Sequence, residues 1–140
     1  MSGVLYQATG VAIGGCAVLI EGRPGAGKSS LALALIDRGG VLIGDDGVLL
    51  ERDGERLLAS PAPATAGVLE VRGVGLLSFP TLSHIPVALL IGLDPAAPRF
   101  RDAPAWLDRA GVRIPAISLW PDSPVLALRA EAALRTYGLA

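Results

Sequence analysis

The segment Gly22-Arg23-Pro24-Gly25-Ala26-Gly27-Lys28-Ser29 lies between an apolar run, Ala17 to Ile20, and a stretch carrying Leu31, Ala32, Leu35 and Ile36 at helical spacing. Few folds accommodate that combination. Its glycines let backbone N–H groups converge on one point, and a helix beginning near Gly27 adds unpaired donors and the positive end of its dipole. The result is an anion site on a strand, loop and helix. Lys28 can set a charge between β- and γ-phosphates, and the Ser29 hydroxyl can ligate Mg²⁺. With Gly22, Arg23, Pro24, Gly25, Ala26, Gly27 and Ser30 around them, the sequence expects ATP with Mg²⁺. The competing explanation, a glycine-rich turn with an incidental lysine, must account for a complete pattern in its required context.

The flanking sequence points to an α/β fold, a P-loop kinase-like mixed sheet with flanking helices, in a single domain over residues 1–140. Hydrophobic residues make up 51% but aromatics only 4%, so the core has to be Val, Leu, Ile and Ala, the filling of buried parallel strands. Val4 to Ile13 reads as a strand turning at Gly14-Gly15 into the run before the loop. The helix after the loop, about ten residues long, meets a basic last turn and glycine stops at Arg38-Gly39-Gly40. Val41-Leu42-Ile43 is a buried strand ending in Asp45-Asp46, and Asp53-Gly54 predicts a type I′ hairpin between Val48–Arg52 and Glu55–Leu58. Ser60 to Ala66 reads as an irregular connection, and Gly67 to Leu77 as strand broken by Gly73 and Gly75. Further on, Pro86 to Leu93 and Val112 to Leu119 are strands, Ala105 to Ala110 a short helix, and Pro124 to Tyr137 a closing helix capped by Ser123.

Charge and cysteine content narrow the function classes. The formal net charge is -1 with no basic cluster, which leaves no electrostatic footprint for nucleic acid or an anionic membrane. The single cysteine, Cys16, excludes an internal disulfide and reads as a small buried apolar residue in a reducing compartment. No apolar run is long enough to span a bilayer, so the expected location is the cytoplasm.

An acid at the end of a strand beside the loop can hold the Mg²⁺ shell or take a proton from an attacking hydroxyl, and Asp45 and Asp46 offer one residue for each task. Locally they would serve equally well as a solvated turn. Glu70 and Arg72 alternate with Leu69 and Val71 and so share one strand face, where an ordinary ion pair is the plainer explanation. His84, without partner pattern, reads as structural, and Trp106 and Trp120 read as packing the carboxyl-terminal helices or as an oligomer contact.

Taken in order, three stretches resemble the catalytic domain of the bacterial HPr kinase/phosphorylase family in its short form. They are the loop with Leu31-Ala32-Leu33-Ala34-Leu35-Ile36-Asp37-Arg38-Gly39, then Gly44-Asp45-Asp46, then Leu69-Glu70-Val71-Arg72-Gly73-Val74-Gly75-Leu76. The resemblance covers roughly the first three fifths of the chain. It implies phosphorylation by ATP of a serine hydroxyl on the phosphocarrier protein HPr, reverse phosphorolysis, and a homo-oligomer, usually a hexamer. It also implies Lys28 as the phosphate-binding lysine, Ser29 as a magnesium ligand, Asp46 as proton acceptor and Glu70 as a second magnesium ligand; with Asp46 so assigned, Asp45 is left as the acid of the pair for the metal. A late catalytic arginine falls to Arg99, ahead of Arg101.

Two departures from the family pattern bear on activity. Where the family has histidine, 21 residues before Lys28, this chain has Gln7, which can hydrogen-bond but not titrate. Where the family has an anchoring loop before the last helix, this chain has Pro121-Asp122-Ser123-Pro124. They keep two alternatives open: a nucleotide-binding regulator with little catalysis, and a small-molecule kinase or ATPase on the same loop.

Overall fold

Hydrophobic segments of three to nine residues, punctuated by glycine and proline, form eleven strands among the described residues, curled around an aliphatic interior with two helices laid on one side. The computed structural model describes residues 3–139. The strands are β1 (Val4–Tyr6), β2 (Thr9–Ile13), β3 (Cys16–Glu21), β4 (Val41–Gly44), β5 (Val48–Asp53), β6 (Arg56–Pro61), β7 (Val68–Val71), β8 (Gly75–Ser78), β9 (Ile85–Leu93), β10 (Ala105–Arg109) and β11 (Val112–Leu119). The helices are α1 (Lys28–Asp37) and α2 (Leu126–Tyr137). Nine strands make one mixed sheet in the order β1-β5-β6-β9-β3-β2-β4, with β11 also pairing β9 and β10 pairing β11. The β7–β8 hairpin stands apart as a second sheet. The expected mixed α/β architecture is what the chain adopts.

The parallel trio β3, β9 and β11 forms the centre, and its alternation sorts side chains to two cores. Val18 and Ile20 join Leu31, Leu35, Ile91 and Ala130 beneath the helices, while Ala17 and Leu19 join Leu50, Leu57 and Ile114 inside the curl. Every one of the largest fully buried side chains is Leu or Ile, as the low aromatic content requires. Each such burial contributes about 1.5–3 kcal/mol. Along β9 the pairing skips Ala88, since Ala17 faces Val87 and Val18 faces Leu89. That bulge sends Val87 and Leu89 to opposite cores, and the Ala88 carbonyl accepts the Leu139 N–H just beyond α2.

Several expectations are corrected. Val4 to Ile13 is two strands, because the chain breaks at Gln7-Ala8 so that β1 pairs β5 while β2 pairs β3 and β4. The β5–β6 turn comprises Gly54 and Glu55, with Asp53 still paired to Arg56. Only Gly54 of the two has positive φ, at 63°, the signature of a type II′ turn and not type I′. Ser60 to Ala66 is ordered as the end of β6 and a 3₁₀ turn over Pro63–Thr65. The helix expected over Ala105 to Ala110 is strand β10: Ala110 and Gly111, at φ 52° and 85°, form a tight turn that folds it back on β11. Helix α2 begins at Leu126, and the Ser123 hydroxyl accepts the Val125 N–H in the turn before it. Trp106 and Trp120 are about half exposed and outside both cores, with Arg113 over the Trp106 ring. Cys16 is only half-buried, and His84 shapes a turn at φ 58°, its N–H donated to Ser60 Oγ at 2.8 Å.

One polar cluster ties β10 to the foot of the loop. Arg109 donates from Nη2 to Glu21 Oε1 at 2.9 Å and from Nε to Glu21 Oε2 at 3.1 Å and to the Tyr6 hydroxyl at 2.7 Å, while Tyr6 donates to Glu21 Oε2. The hydrogen bond to Glu21 outweighs burial and holds the guanidinium above its ordinary pKa; burial first, and then the bond to Glu21, raise that of Tyr6. Arg109→Leu would leave Glu21, 23% exposed, without its cation and with the Tyr6 hydroxyl as the donor that remains in the cluster. The expected loss is about 1.5–3 kcal/mol, read from urea unfolding; an unchanged midpoint would show that the cluster holds nothing.

Candidate functional site

Strand β3 ends at Glu21 and the chain turns through Gly25 and Gly27, at φ 81° and 103°, into α1. Gly27 caps the helix, and the first helical bond runs from Leu31 N–H to the Gly27 carbonyl at 2.9 Å. The amides of Lys28, Ser29 and Ser30 precede that bond and therefore have no partner within the helix. The first turn carries no acidic residue of its own, so nothing on the helix itself neutralises its dipole. Lys28 folds back over the loop, its Nζ donating to the Gly22 and Arg23 carbonyls at 3.0 and 3.1 Å.

Strand β4 delivers the acids. Gly44 ends it at a corner so tight that a Cβ there would lie 2.2 Å from the Gly47 carbonyl oxygen. Asp45 turns inward and accepts three hydrogen bonds: from Ser29 Oγ at 2.7 Å and Thr9 Oγ1 at 3.2 Å on one oxygen, and from the Glu70 N–H at 3.0 Å on the other. It links α1, β2 and β7 at one point. Asp46 follows with φ 59°, exposed, its N–H donated to Thr9 Oγ1 at 3.2 Å. Leu69 anchors β7 in the core, which leaves Glu70 and Arg72 to face outward from its end.

These groups line one cleft of about 240 Å³: Pro24, Gly25, Gly27, Lys28, Ser29, Ser30, Asp45, Asp46, Glu70 and Arg72. The expected phosphate, metal and proton-accepting residues thus meet, and Arg72, which the sequence left without a firm role, meets them too. Arg99 does not line it; it is exposed in the loop after β9. Arg101 lies in the same loop with its Nε buried and unpaired. Gln7 is exposed, two residues ahead of Thr9. Sequence reasoning missed Thr9, for which the only signal was a hydroxyl among apolar strand residues. Gly22, Arg23 and Ala26 belong to the other flank of the loop, where, with Pro24 and Gly25, they border a second cleft of about 780 Å³ walled by Leu93, Asp94, Pro95, Ala96, Pro121 and Asp122.

The donors suit a hard cation, being hydroxyl and carboxylate oxygens from Ser29, Asp45 and Glu70. Among the described residues no group of three or more His, Cys, Asp or Glu forms a ready metal cage. Among the same residues no helix is long and apolar enough to cross a membrane.

Comparison with known proteins bears on this arrangement. The family model of the HPr Serine kinase C-terminal domain matches residues 2–84. An HPr kinase/phosphorylase of an Exiguobacterium species is 39% identical over 102 residues, 67% of this chain and 31% of the relative. That of Clostridium tetani is 43% identical over 82 residues, 59% of this chain and 25% of the relative. The chain therefore spans about a third or less of the length of these curated relatives. The solved structure of the Hpr(Ser) kinase/phosphatase from Coxiella burnetii superposes with a TM-score of 0.83 at 28% identity, covering 94% of this chain and 88% of that one. The structural likeness continues past residue 84, where the family model stops.

Proposed function

The chain belongs to the HPr serine kinase C-terminal domain family, and on that footing we propose that it is an ATP- and Mg²⁺-dependent protein-serine kinase. Its acceptor is the phosphocarrier protein HPr, and the same groups can run phosphorolysis of phosphoserine-HPr. One observation carries this reading: Ser29 Oγ is bonded to Asp45 at 2.7 Å on the cleft that Lys28, Asp46 and Glu70 also line. The triphosphate lies along the loop from Gly22 to Ser30, where Lys28 exchanges its carbonyl partners for phosphate oxygens. The nucleoside fits the second cleft, whose walls include Pro24, Leu93, Pro95 and Pro121.

Ser29, Asp45 and Glu70 would hold the Mg²⁺, whose chemistry is neutralisation of phosphate charge. Asp46 accepts the serine proton as the hydroxyl oxygen bonds to the γ-phosphorus and the bond to the ADP oxygen breaks. In reverse, protonated Asp46 returns it. Arg72 is the cation best situated for charge developing on the transferred group; Arg99 would have to be carried in from its loop. The family reading also makes the protein a cytoplasmic homo-oligomer, hexameric by the family's habit.

Labelled ATP, Mg²⁺ and HPr from the same cell should yield labelled serine on HPr, and absence of label where nucleotide binds would overturn the proposal. The uncharged, exposed Gln7 favours a second reading, a nucleotide-binding regulator with weak catalysis. Gln7→His then raises transfer if this residue alone limits the reaction and leaves it unchanged if the site is otherwise inert. Phosphate release or small-molecule labelling without a protein acceptor would point to an ATPase or small-molecule kinase.

A further inference from the structure

Thr9 and Ser60 are the buried polar side chains among the described residues, and Thr9 is 0% exposed. Thr9 opens β2 opposite Ile20 of β3, one residue before the Gly10–Gly44 pair with β4. Beyond Gly44 the β4 chain leaves the ladder, so Asp45 and Asp46 lose backbone partners on β2. A side chain substitutes for the ladder. The Thr9 hydroxyl accepts the Asp46 N–H at 3.2 Å and donates to Asp45 Oδ1 at 3.2 Å, using both capacities of one oxygen. It thereby ties the Asp46 main chain and the Asp45 carboxylate to one buried side chain.

The conformation it holds is a costly one. Asp46 has φ 59°, a left-handed backbone that Asp and Asn adopt more readily than other residues with a Cβ but that still lies outside the preferred regions and is held by its surroundings. The corner is also fixed by Gly44, which leaves no room for a Cβ beside the Gly47 carbonyl. The carboxylate of an exposed residue on a turn has no packing of its own to aim it. Its direction is set by the backbone, and the backbone is tied to the core through Thr9.

We propose that Thr9 is the positioning residue of this site: its hydroxyl locks Asp46 in the left-handed conformation that presents the carboxylate to the acceptor hydroxyl, and keeps Asp45 turned to Ser29. Thr9 touches neither substrate nor metal and acts through the two acids. The proposal rests on the assignment of Asp46 as proton acceptor given above.

Thr9→Val keeps the branched shape without the hydroxyl, Thr9→Ala is a second hydroxyl-free variant for the case that Val does not fold, and Thr9→Ser keeps the hydroxyl. Steady-state transfer to HPr and hydrogen exchange at the Asp46 amide, followed by NMR, are measured on all four proteins. The hydroxyl-free variants should lose about 100-fold in kcat, the scale of an ångström-sized misplacement, with KM for ATP held by the Ser29 and Glu70 bonds that Asp45 keeps, and the Asp46 amide exchanging faster. Thr9→Ser should restore both. Wild-type kcat in a folded hydroxyl-free variant, equal losses in Thr9→Ser and Thr9→Ala, or exchange that does not respond to the hydroxyl would each overturn the proposal. If the wild-type protein transfers nothing to HPr, the kinase reading fails by itself, and exchange at Asp46 still decides whether Thr9 is its lock.

Discussion

Lys28→Ala should lower phosphoryl transfer about 100- to 1,000-fold, the cost of removing one preorganised group that meets developing charge, and weaken nucleotide binding with it. The Lys28 ammonium is the loop cation on the cleft of Asp45 and Asp46, Arg23 bordering the second cleft, and it waits over the loop on two carbonyl oxygens, at 3.0 and 3.1 Å. Those contacts are exposed and contribute little to stability, so the variant should unfold at the wild-type denaturant concentration. The comparison to make is nucleotide affinity, by titration of a fluorescent ATP analogue, beside the rate of labelling of HPr. A loss in both means that Lys28 binds the ground state as well as the transition state. Wild-type affinity in the variant would mean that the loop from Gly22 to Ser29 does not cradle the phosphates.

That loop was the most legible part of the chain because it is local: glycine spacing, a lysine and a serine define it within eight residues. The same holds for the β5–β6 hairpin, though a dipeptide could not say which pair of residues sits at its tip. Strand β10 was misread because its signal is the Ala110-Gly111 turn, which matters only once β11 is there to pair with it. Pairings between distant segments were invisible, among them β1 on β5, β9 with three partners, and the bulge at Ala88. So was Thr9, an ordinary strand threonine until the fold brings Asp45 and Asp46 to it across more than 30 residues of sequence. Local sequence names the site's acids only as a pair and the family resemblance divides them; the fold adds direction, with Asp45 turned to Ser29 and Glu70 and Asp46 exposed on the cleft.

That division makes Asp46→Asn the sharpest test of the chemistry. Asparagine keeps the size of the side chain and is among the residues that tolerate the left-handed backbone found at φ 59°. The Asp46 N–H bond to Thr9 comes from the main chain and survives the substitution. Fold and nucleotide affinity should therefore stay as they are, while an amide in place of the carboxylate cannot take the serine proton. The expected loss in transfer is about 100- to 10,000-fold, the range of general-base contributions. Asp45→Asn should behave differently. Its carboxylate accepts bonds from Ser29, Thr9 and the Glu70 amide. An asparagine keeps the Glu70 bond only by turning its NH₂ to the two hydroxyls, which must then accept where they donated, with no carboxylate charge left for the metal. Metal-dependent nucleotide binding then weakens along with the rate. Two substitutions of the same size at neighbouring positions should thus separate, one in kcat alone and one in both binding and kcat. Full turnover by Asp46→Asn would remove it from the reaction, and indistinguishable profiles for the two would mean that the acids act as one unit.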